Sequence, residues 1–215
     1  MYISRVEIDR NNRQKTKDLI HLGAYHSWVE DSFDEIGESR SRKLWRIDAI
    51  GGKEYLLIVS EKKPNQGKLE KYGIPNSAQI KDYQPFLDTL EEGRNYIFRA
   101  GLNPCKAISQ GGASSGKRGR VVPCLAGEDQ INYLLERAEK NGFSIESENG
   151  VKIVERKGDI FMKKGEKRSI RLVRATYEGI LTITDLDKFK NLLKNGLGRK
   201  KAYGFGLFTI VPYVK

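Results

Sequence analysis

Residues 196–206 read Gly196-Leu197-Gly198-Arg199-Lys200-Lys201-Ala202-Tyr203-Gly204-Phe205-Gly206. Four glycines, three consecutive cations and two aromatic residues occupy these eleven positions, a composition typical of a loop that approaches a polyanion. The surrounding pattern predicts a helix before the loop (184–195) and a strand after it (205–211). The glycine motif of dinucleotide-binding folds instead follows a strand and opens a helix, and the Gly-Lys-Ser/Thr of a P-loop is absent from the sequence. A nucleotide-cofactor enzyme is therefore not expected.

The first part of the chain alternates between strand-like and helix-like patterns. Residues 2–8, 43–50, 54–60 and 78–83 are predicted strands. One helix is predicted to begin between Thr16 and Gly23 and to run to about Phe33, and a short one covers 67–72. Gly51-Gly52, between two β-rich runs, predicts a tight hairpin. The order is β-α-β-β-α-β, that of a ferredoxin-like domain.

The same order repeats in the second part. Strands are predicted at 95–102, 143–145, 151–154, 169–177 with its continuation 179–183, and 205–211, and helices at 127–141 and 184–195. Gly142 and Gly196 stand where helices commonly end, and Thr184 with Asp187 resembles a capping box. The predicted fold class is α+β, with tandem ferredoxin-like (RRM-like) βαββαβ domains at 1–93 and 94–215.

Positive charge is concentrated in the second predicted domain. The chain has a net charge of +11, but residues 1–93 hold 15 Lys and Arg against 16 Asp and Glu, and residues 94–215 hold 24 against 12. Such asymmetry indicates that one domain binds a polyanion, although a basic surface that only confers solubility would look the same.

The remaining composition bears on where the protein acts. Cys105 and Cys124 match no zinc-ligand spacing and suggest a reducing compartment. Apolar stretches are too short to cross a bilayer, and the N-terminus lacks the features of a signal peptide. We therefore expect a cytoplasmic protein with no membrane partner and no metal or other cofactor.

Three segments carry the excess cations: a glycine- and serine-rich stretch at 111–120, a predicted basic hairpin at 152–174, and the glycine-rich loop at 196–206. Each alone could be a solvated turn or hairpin. Together, in the domain that carries the charge excess, they favour nucleic acid as the partner.

The chain has two histidines, His21 and His26, both at or near the first predicted helix. If the protein cleaves RNA, the simplest route needs no metal, because the RNA's own 2′-OH can attack the adjacent phosphorus. Imidazole suits either proton transfer in that reaction. However, His26 also falls at helical spacing with Leu22 and Val29, so it could instead face the core.

Several motifs in this chain resemble those of the CasE family, the RNA-processing endoribonucleases of type I-E CRISPR (Cascade) complexes. The resemblance covers nearly the whole chain and is carried by Met1-Tyr2-Ile3-Ser4-Arg5-Val6-Glu7-Ile8, Leu44-Trp45-Arg46, Tyr96-Ile97-Phe98-Arg99, Asn103-Pro104-Cys105-Lys106, Tyr177-Glu178-Gly179-Ile180-Leu181-Thr182-Ile183 and the glycine-rich loop continued by Leu207.

The resemblance implies tandem ferredoxin-like domains and an endoribonuclease that recognises a CRISPR repeat RNA hairpin by sequence and structure. It implies metal-independent cleavage at the 3′ base of the stem, a product that stays bound, and other Cascade subunits as partners. The expected products are a 2′,3′-cyclic phosphate and a 5′-OH. His26 matches the family's catalytic histidine. The family often has a tyrosine three residues earlier, where this chain has Gly23, so Tyr25 is a substitute candidate.

The basic hairpin at 152–174 corresponds to the element that enters the major groove of the RNA stem. The expected RNA-binding residues are Lys106, Lys117, Arg118, Arg120, Arg156, Lys157, Lys163, Lys164, Lys167, Arg168, Gly198, Arg199, Lys200 and Lys201. Two alternatives remain open: a non-catalytic RNA-binding subunit of a ribonucleoprotein with the same fold, and a DNA-binding protein.

Overall fold

A computed structural model describes residues 1–35, 40–108, 119–146, 150–162 and 169–214. The strands are β1 (Tyr2–Glu7), β2 (Lys43–Ile50), β3 (Lys53–Ser60), β4 (Gln79–Asp82), β5 (Asn95–Leu102), β6 (Cys105–Ile108), β7 (Arg120–Pro123), β8 (Phe143–Ser144), β9 (Val151–Met162), β10 (Ser169–Ile183) and β11 (Phe208–Pro212). The α-helices are α1 (Arg13–Thr16), α2 (Leu22–Asp31), α3 (Gln66–Leu69), α4 (Gln84–Asp88), α5 (Gly127–Ala138) and α6 (Leu186–Asn195).

Two antiparallel sheets form the framework. The first has the strand order β2-β3-β1-β4, and the second has the order β11-β5-β10, with β8 and β9 both pairing with β10. In both sheets the first strand of the repeat lies between the third and the fourth, and the second strand lies at the edge. The predicted α+β class and the repeated βαββαβ order are therefore confirmed.

Of the predictions for individual turns, caps and short elements, some are confirmed and others are wrong. The hairpin glycines Gly51 and Gly52 both have positive φ, as a two-residue turn between twisted strands requires. The capping-box prediction for Thr184 is wrong, because the N-cap of α6 is Asp185, whose carboxylate accepts the Lys188 N–H at 3.0 Å. Helices α1 and α4 and the β6–β7 pair were not predicted from the sequence.

Most buried apolar residues in the described part of the chain belong to two hydrophobic clusters, and each cluster draws on both sheets. One cluster packs β1, β2 and β3 against α2 and includes Leu172 and Phe205 from the second half. The other surrounds β5, α5 and α6 and includes Leu44 and Val59 from the first. The proposed division at residues 93 and 94 falls in the turn between α4 and β5, where Gly93 has positive φ.

A buried arginine links the two sheets. Arg46 on β2 is 2% exposed, and its Nε and Nη2 donate to the two carboxylate oxygens of Asp48, each at 2.7 Å. Nη1 donates to the carbonyls of Arg99 on β5 (2.8 Å) and Leu207 (3.0 Å), and Nη2 also donates to Thr209 Oγ1 on β11 (2.7 Å). All five N–H groups of the guanidinium are thus used.

The charge on Asp48 is maintained by its neighbours. Burial opposes its ionisation, but the hydrogen bonds and charge of Arg46, together with the charge of Arg99, lower the pKa of Asp48 below its usual range. The buried charges are therefore paired, and the pair is bonded to the second sheet through backbone carbonyls that Arg46 reaches across the interface.

We expect Arg46→Ala to reduce the free energy of unfolding by about 3–5 kcal/mol, because Asp48 and two interface carbonyls would be left without their buried donor. Chemical denaturation followed by circular dichroism measures this loss. Arg46→Lys keeps the charge but not the five-donor fork, so it should also destabilise.

The matched control is Arg5→Ala, which removes an exposed arginine that donates to Gln79 on the same sheet. Its effect should stay within about 0.5 kcal/mol. Equal losses for the Arg46 and Arg5 variants would show that the buried network does not hold the two sheets together.

Candidate active site

Helix α2 fixes the position of His26. The helix begins after His21, whose Nδ1 accepts the Ala24 N–H at 3.1 Å, and its buried face includes Trp28 and Val29. Trp28 Nε1 donates to the Leu69 carbonyl at 3.1 Å, which anchors the helix to α3. The side chain of His26 is 35% exposed, so it lies at the edge of the buried face of α2 and borders a cleft.

The glycine-rich loop rests on β2. Trp45 Nε1 donates to the Ala202 carbonyl at 3.1 Å. Gly204 has a φ of +79°, and a Cβ there would lie 2.7–2.9 Å from the Trp45 ring. A Cβ on Gly196, whose φ is +70°, would lie 2.7 Å from a methyl group of Leu44. Glycine is therefore required at both ends of the loop for close packing on β2 and for backbone conformation.

These two elements meet in one cleft of about 510 Å³, which we call the His26 cleft. It is lined by His26, Glu30, Arg40, Ser41, Arg42, Lys43, Gly198, Lys200, Lys201 and Ala202. The ring of Tyr203 packs edge-on at 6.0 Å from the His26 ring. The structure thus brings His26 together with three of the predicted loop residues, which are far away in sequence.

The charges in the His26 cleft favour an anionic ligand. Burial lowers the pKa of His26 below its usual value, and Arg40 and Lys43 lower it further, against the opposing effect of Glu30. Burial also lowers the pKa of Lys201, whose Nζ donates to the Asn195 carbonyl at 2.7 Å. Lys200 has a φ of +65°, unusual for a residue other than glycine. A neutral imidazole beside several cations is suited to proton transfer near a phosphodiester.

Tyr25 does not lie in the His26 cleft. It is 5% exposed and stacks on Trp45 at 6.0 Å, and its hydroxyl contacts Arg10 Nη2 at 2.6 Å. Burial raises the pKa of Tyr25, although Arg10 opposes this. The Tyr25 ring borders a different cleft, of about 360 Å³, together with Lys157 and Arg174. We refer to this as the Tyr25 cleft.

The other candidate RNA contacts that the structure describes lie outside the His26 cleft. Lys106 and Arg199 share a third cleft of about 590 Å³, the Lys106 cleft, and Lys106 Nζ pairs with Asp129 at 2.9 Å. Gly198 borders both this cleft and the His26 cleft, so the glycine-rich loop forms the wall between them. Arg120 on β7 and Arg156 and Lys157 on β9 are exposed. Lys117, Arg118, Lys163, Lys164, Lys167 and Arg168 lie outside the described residues.

Among the described residues of the His26 cleft, four charged ones were not predicted from the sequence: Glu30, Arg40, Arg42 and Lys43. Glu30 carried a usable signal, because it lies one helical turn after His26 and the two side chains share a face. The others reach the cleft only through the docking of β2 beside α2, which periodicity does not reveal.

Within the described part of the chain, no three His, Cys, Asp or Glu side chains are grouped as a metal site. No helix in that part is long and apolar enough to cross a membrane.

We expect Gly204→Ala to destabilise the protein by about 1–3 kcal/mol, because it adds strain at positive φ and a clash with Trp45. Chemical denaturation checks this value. Gly158→Ala is the control, since a Cβ there has nothing within 4 Å and the effect should be small. A Gly204→Ala variant as stable as the control would contradict the close packing of the loop on β2.

We expect the NMR titration midpoint of His26 in the RNA-free protein to lie below its usual value of about 6.5, because burial and nearby cations disfavour the charged ring. Arg40→Gln removes one cation and should raise the midpoint. Arg94→Gln, an exposed site outside the cleft, should leave it unchanged. A midpoint above about 6.5 in the wild type, or a lower one in Arg40→Gln, would contradict this electrostatic description.

Comparison with known proteins agrees with the motif analysis. A family model described as CRISPR associated protein matches residues 1–212. The chain is 27% identical over 225 residues to the CRISPR-associated endoribonuclease Cse3 of Thermus thermophilus, covering 99% of this chain and 100% of that protein. It is 28% identical over 225 residues to the CRISPR system Cascade subunit CasE of Escherichia coli K12, with the same coverage.

A solved structure of CRISPR endoribonuclease Cse3 bound to a 19-nucleotide RNA is also similar. It superposes with a TM-score of 0.78 at 25% identity, covering 99% of this chain and 100% of that one. The ferredoxin-like fold class is thus supported by a full-length structural match. The chain therefore belongs to the CRISPR-associated protein family that includes CasE, as its sequence motifs indicated.

Proposed function

We propose that this protein is an endoribonuclease that cleaves CRISPR precursor RNA at repeat hairpins and acts in the cytoplasm as a Cascade subunit. The relatives named endoribonuclease Cse3 and Cascade subunit CasE, which match over nearly the whole chain, support this assignment. The observation that carries it is the His26 cleft, where a titratable imidazole faces cations from the glycine-rich loop.

The proposed reaction needs no metal. The 2′-oxygen of the nucleotide before the scissile bond forms a bond to phosphorus, and the bond from phosphorus to the 5′-oxygen of the next nucleotide breaks. One proton leaves the 2′-OH and one is delivered to the departing 5′-oxygen. The products are a 2′,3′-cyclic phosphate and a 5′-OH.

His26 is the proton-transfer residue in this scheme, either as the base or as the acid. Lys200 and Arg40 stabilise the additional negative charge on the pentacoordinate phosphorus. Tyr25 has no proton-transfer role, because its hydroxyl contacts Arg10 beside a different cleft.

The RNA hairpin is proposed to bind the basic second half of the chain. Residues 94–215 carry the entire charge excess, and Arg156 and Lys157 project from the exposed edge strand β9. The Lys106 cleft, with Arg199, continues this surface on the other side of the glycine-rich loop. Contacts over such an area would hold the cleaved product on the protein.

We expect His26→Ala to reduce the single-turnover cleavage rate of a repeat hairpin by about 10²–10⁴-fold without weakening RNA binding. His21→Asn is the control, because it replaces the other histidine while keeping a capping side chain for α2. Wild-type cleavage should be complete in EDTA and should stop when the 2′-OH before the scissile phosphate is replaced by hydrogen.

Undiminished cleavage by His26→Ala would refute the role of His26. Continued cleavage of the 2′-deoxy substrate, or loss of activity in EDTA, would refute the mechanism. If the wild type binds its hairpin tightly but leaves it intact at every pH between about 6 and 9, the protein is instead a non-catalytic RNA-binding subunit.

A further inference from the structure

A line of alternating charges runs from His26 into the protein interior. The Nδ1 atom of His26 lies 3.9 Å from Oε1 of Glu30, one turn along α2. The other carboxylate oxygen of Glu30 accepts from Lys43 Nζ at 3.1 Å. Lys43, at the start of β2, also donates to Glu35. His26 is thus connected through Glu30 to two charged side chains that are almost fully buried.

The Lys43–Glu35 end of this line of charges is buried, which holds both side chains in place. The side chains of Lys43 and Glu35 are 1% and 5% exposed. Burial opposes the ionisation of Glu35, but hydrogen bonds from Lys43, Ser41 and Lys62 lower its pKa to about 2. The Lys43 amine also lies 5.0 Å from the centre of the Phe33 ring. A lysine held this way gives Glu30 a rigid, charged partner.

One carboxylate oxygen of Glu30 is used by Lys43, and the other lies beside His26 in a cleft lined mostly by cations. Among the described residues that line the cleft, it is the only carboxylate, and it shares the lining with Arg40, Arg42, Lys43, Lys200 and Lys201. A negative charge there weakens the attraction of the cleft for RNA phosphate. Its position beside Nδ1 offers a compensating role, because a carboxylate next to one ring nitrogen decides which nitrogen carries the proton.

We infer that Glu30 is a positioning residue that accepts the Nδ1–H of His26 and leaves Nε2 to exchange a proton with the RNA. This inference rests on the proposed function of the His26 cleft. At 3.9 Å the Glu30 carboxylate already favours a proton on Nδ1 in the RNA-free protein, and the separation shortens to a hydrogen bond when substrate fills the cleft, as catalytic contacts commonly do. Lys43 anchors Glu30 from behind, so the imidazole is held between the helix, this carboxylate and the edge of the Tyr203 ring.

The test measures the histidine itself, in protein labelled with ¹⁵N-histidine and free of RNA. Wild-type His26 should be protonated on Nδ1 when neutral. Glu30→Ala should shift the proton toward Nε2. Glu30→Gln keeps a hydrogen-bond partner for Lys43. It should lower the titration midpoint of His26 by about 0.7 pH units, which is the effect of one charge near 4 Å in a water-like medium.

The matched controls are Asp31→Ala and Asp31→Asn. They remove the same charge from the next position on α2, where Asp31 is exposed and pairs with Lys71 at 3.9 Å. They should leave both the tautomer and the midpoint unchanged. In cleavage assays, Glu30→Ala should lower the single-turnover rate about tenfold with no loss of RNA affinity, part of the 10²–10⁴ that positioned proton transfer provides.

An unchanged tautomer in Glu30→Ala would overturn the inference whatever the midpoint in Glu30→Gln, because a nearby charge shifts the midpoint even if it accepts no proton from Nδ1. That result is distinguishable from failure of the proposed function. The proposed function is tested by the loss of cleavage in the His26→Ala variant, not by these spectra. If Glu30→Ala does not fold, Glu30→Leu, which also removes the acceptor for Nδ1–H, provides the same test of the tautomer.

Discussion

The arrangement of this molecule depends on one buried guanidinium. Arg46 uses all five of its donors, pairing with Asp48 on its own strand and reaching carbonyl and hydroxyl oxygens of the second sheet. A buried cation cannot exchange these partners for water, so the two sheets are held in one orientation. Strand β2 is therefore the element against which parts of the chain that are distant in sequence pack.

The neighbours of Arg46 extend this constraint to the candidate active site. Leu44 and Trp45 pack against Gly196 and Gly204 and fix both ends of the glycine-rich loop. Because Trp45 also stacks on Tyr25 of α2, one side chain contacts both elements of the His26 cleft. Tyr25 therefore contributes to the site by packing. His26, the next residue and rotated about 100° around the helix axis, faces the loop.

Much of this fold follows from local patterns. The strand at 95–102 and the hairpin at Gly51-Gly52 are set by alternation and by glycine's tolerance of positive φ, and both occur as expected. The helix ends at Gly142 and Gly196 follow from the same property. Tandem ferredoxin-like domains could thus be predicted from the sequence, with family motifs to support them.

The site itself was only partly predictable. The sequence indicated His26 and the loop cations separately, but their meeting depends on how two sheets dock, which no local periodicity encodes. Helical spacing placed His26 on the same stripe as Leu22 and Val29, and it did not reveal that Tyr25 would take the buried position instead. Glu30 and Lys43 look like ordinary surface charges until β2 lies beside α2. Their role depends on tertiary contacts and burial.

The most direct test is a crystal structure of the wild-type protein with its repeat hairpin, made uncleavable by a 2′-deoxy substitution before the scissile phosphate. We expect that phosphate in the His26 cleft, with one of its oxygens about 3 Å from the Nε2 atom of His26 and with Lys200 beside it. A scissile phosphate in the Tyr25 cleft or the Lys106 cleft instead would contradict the assignment of the active site.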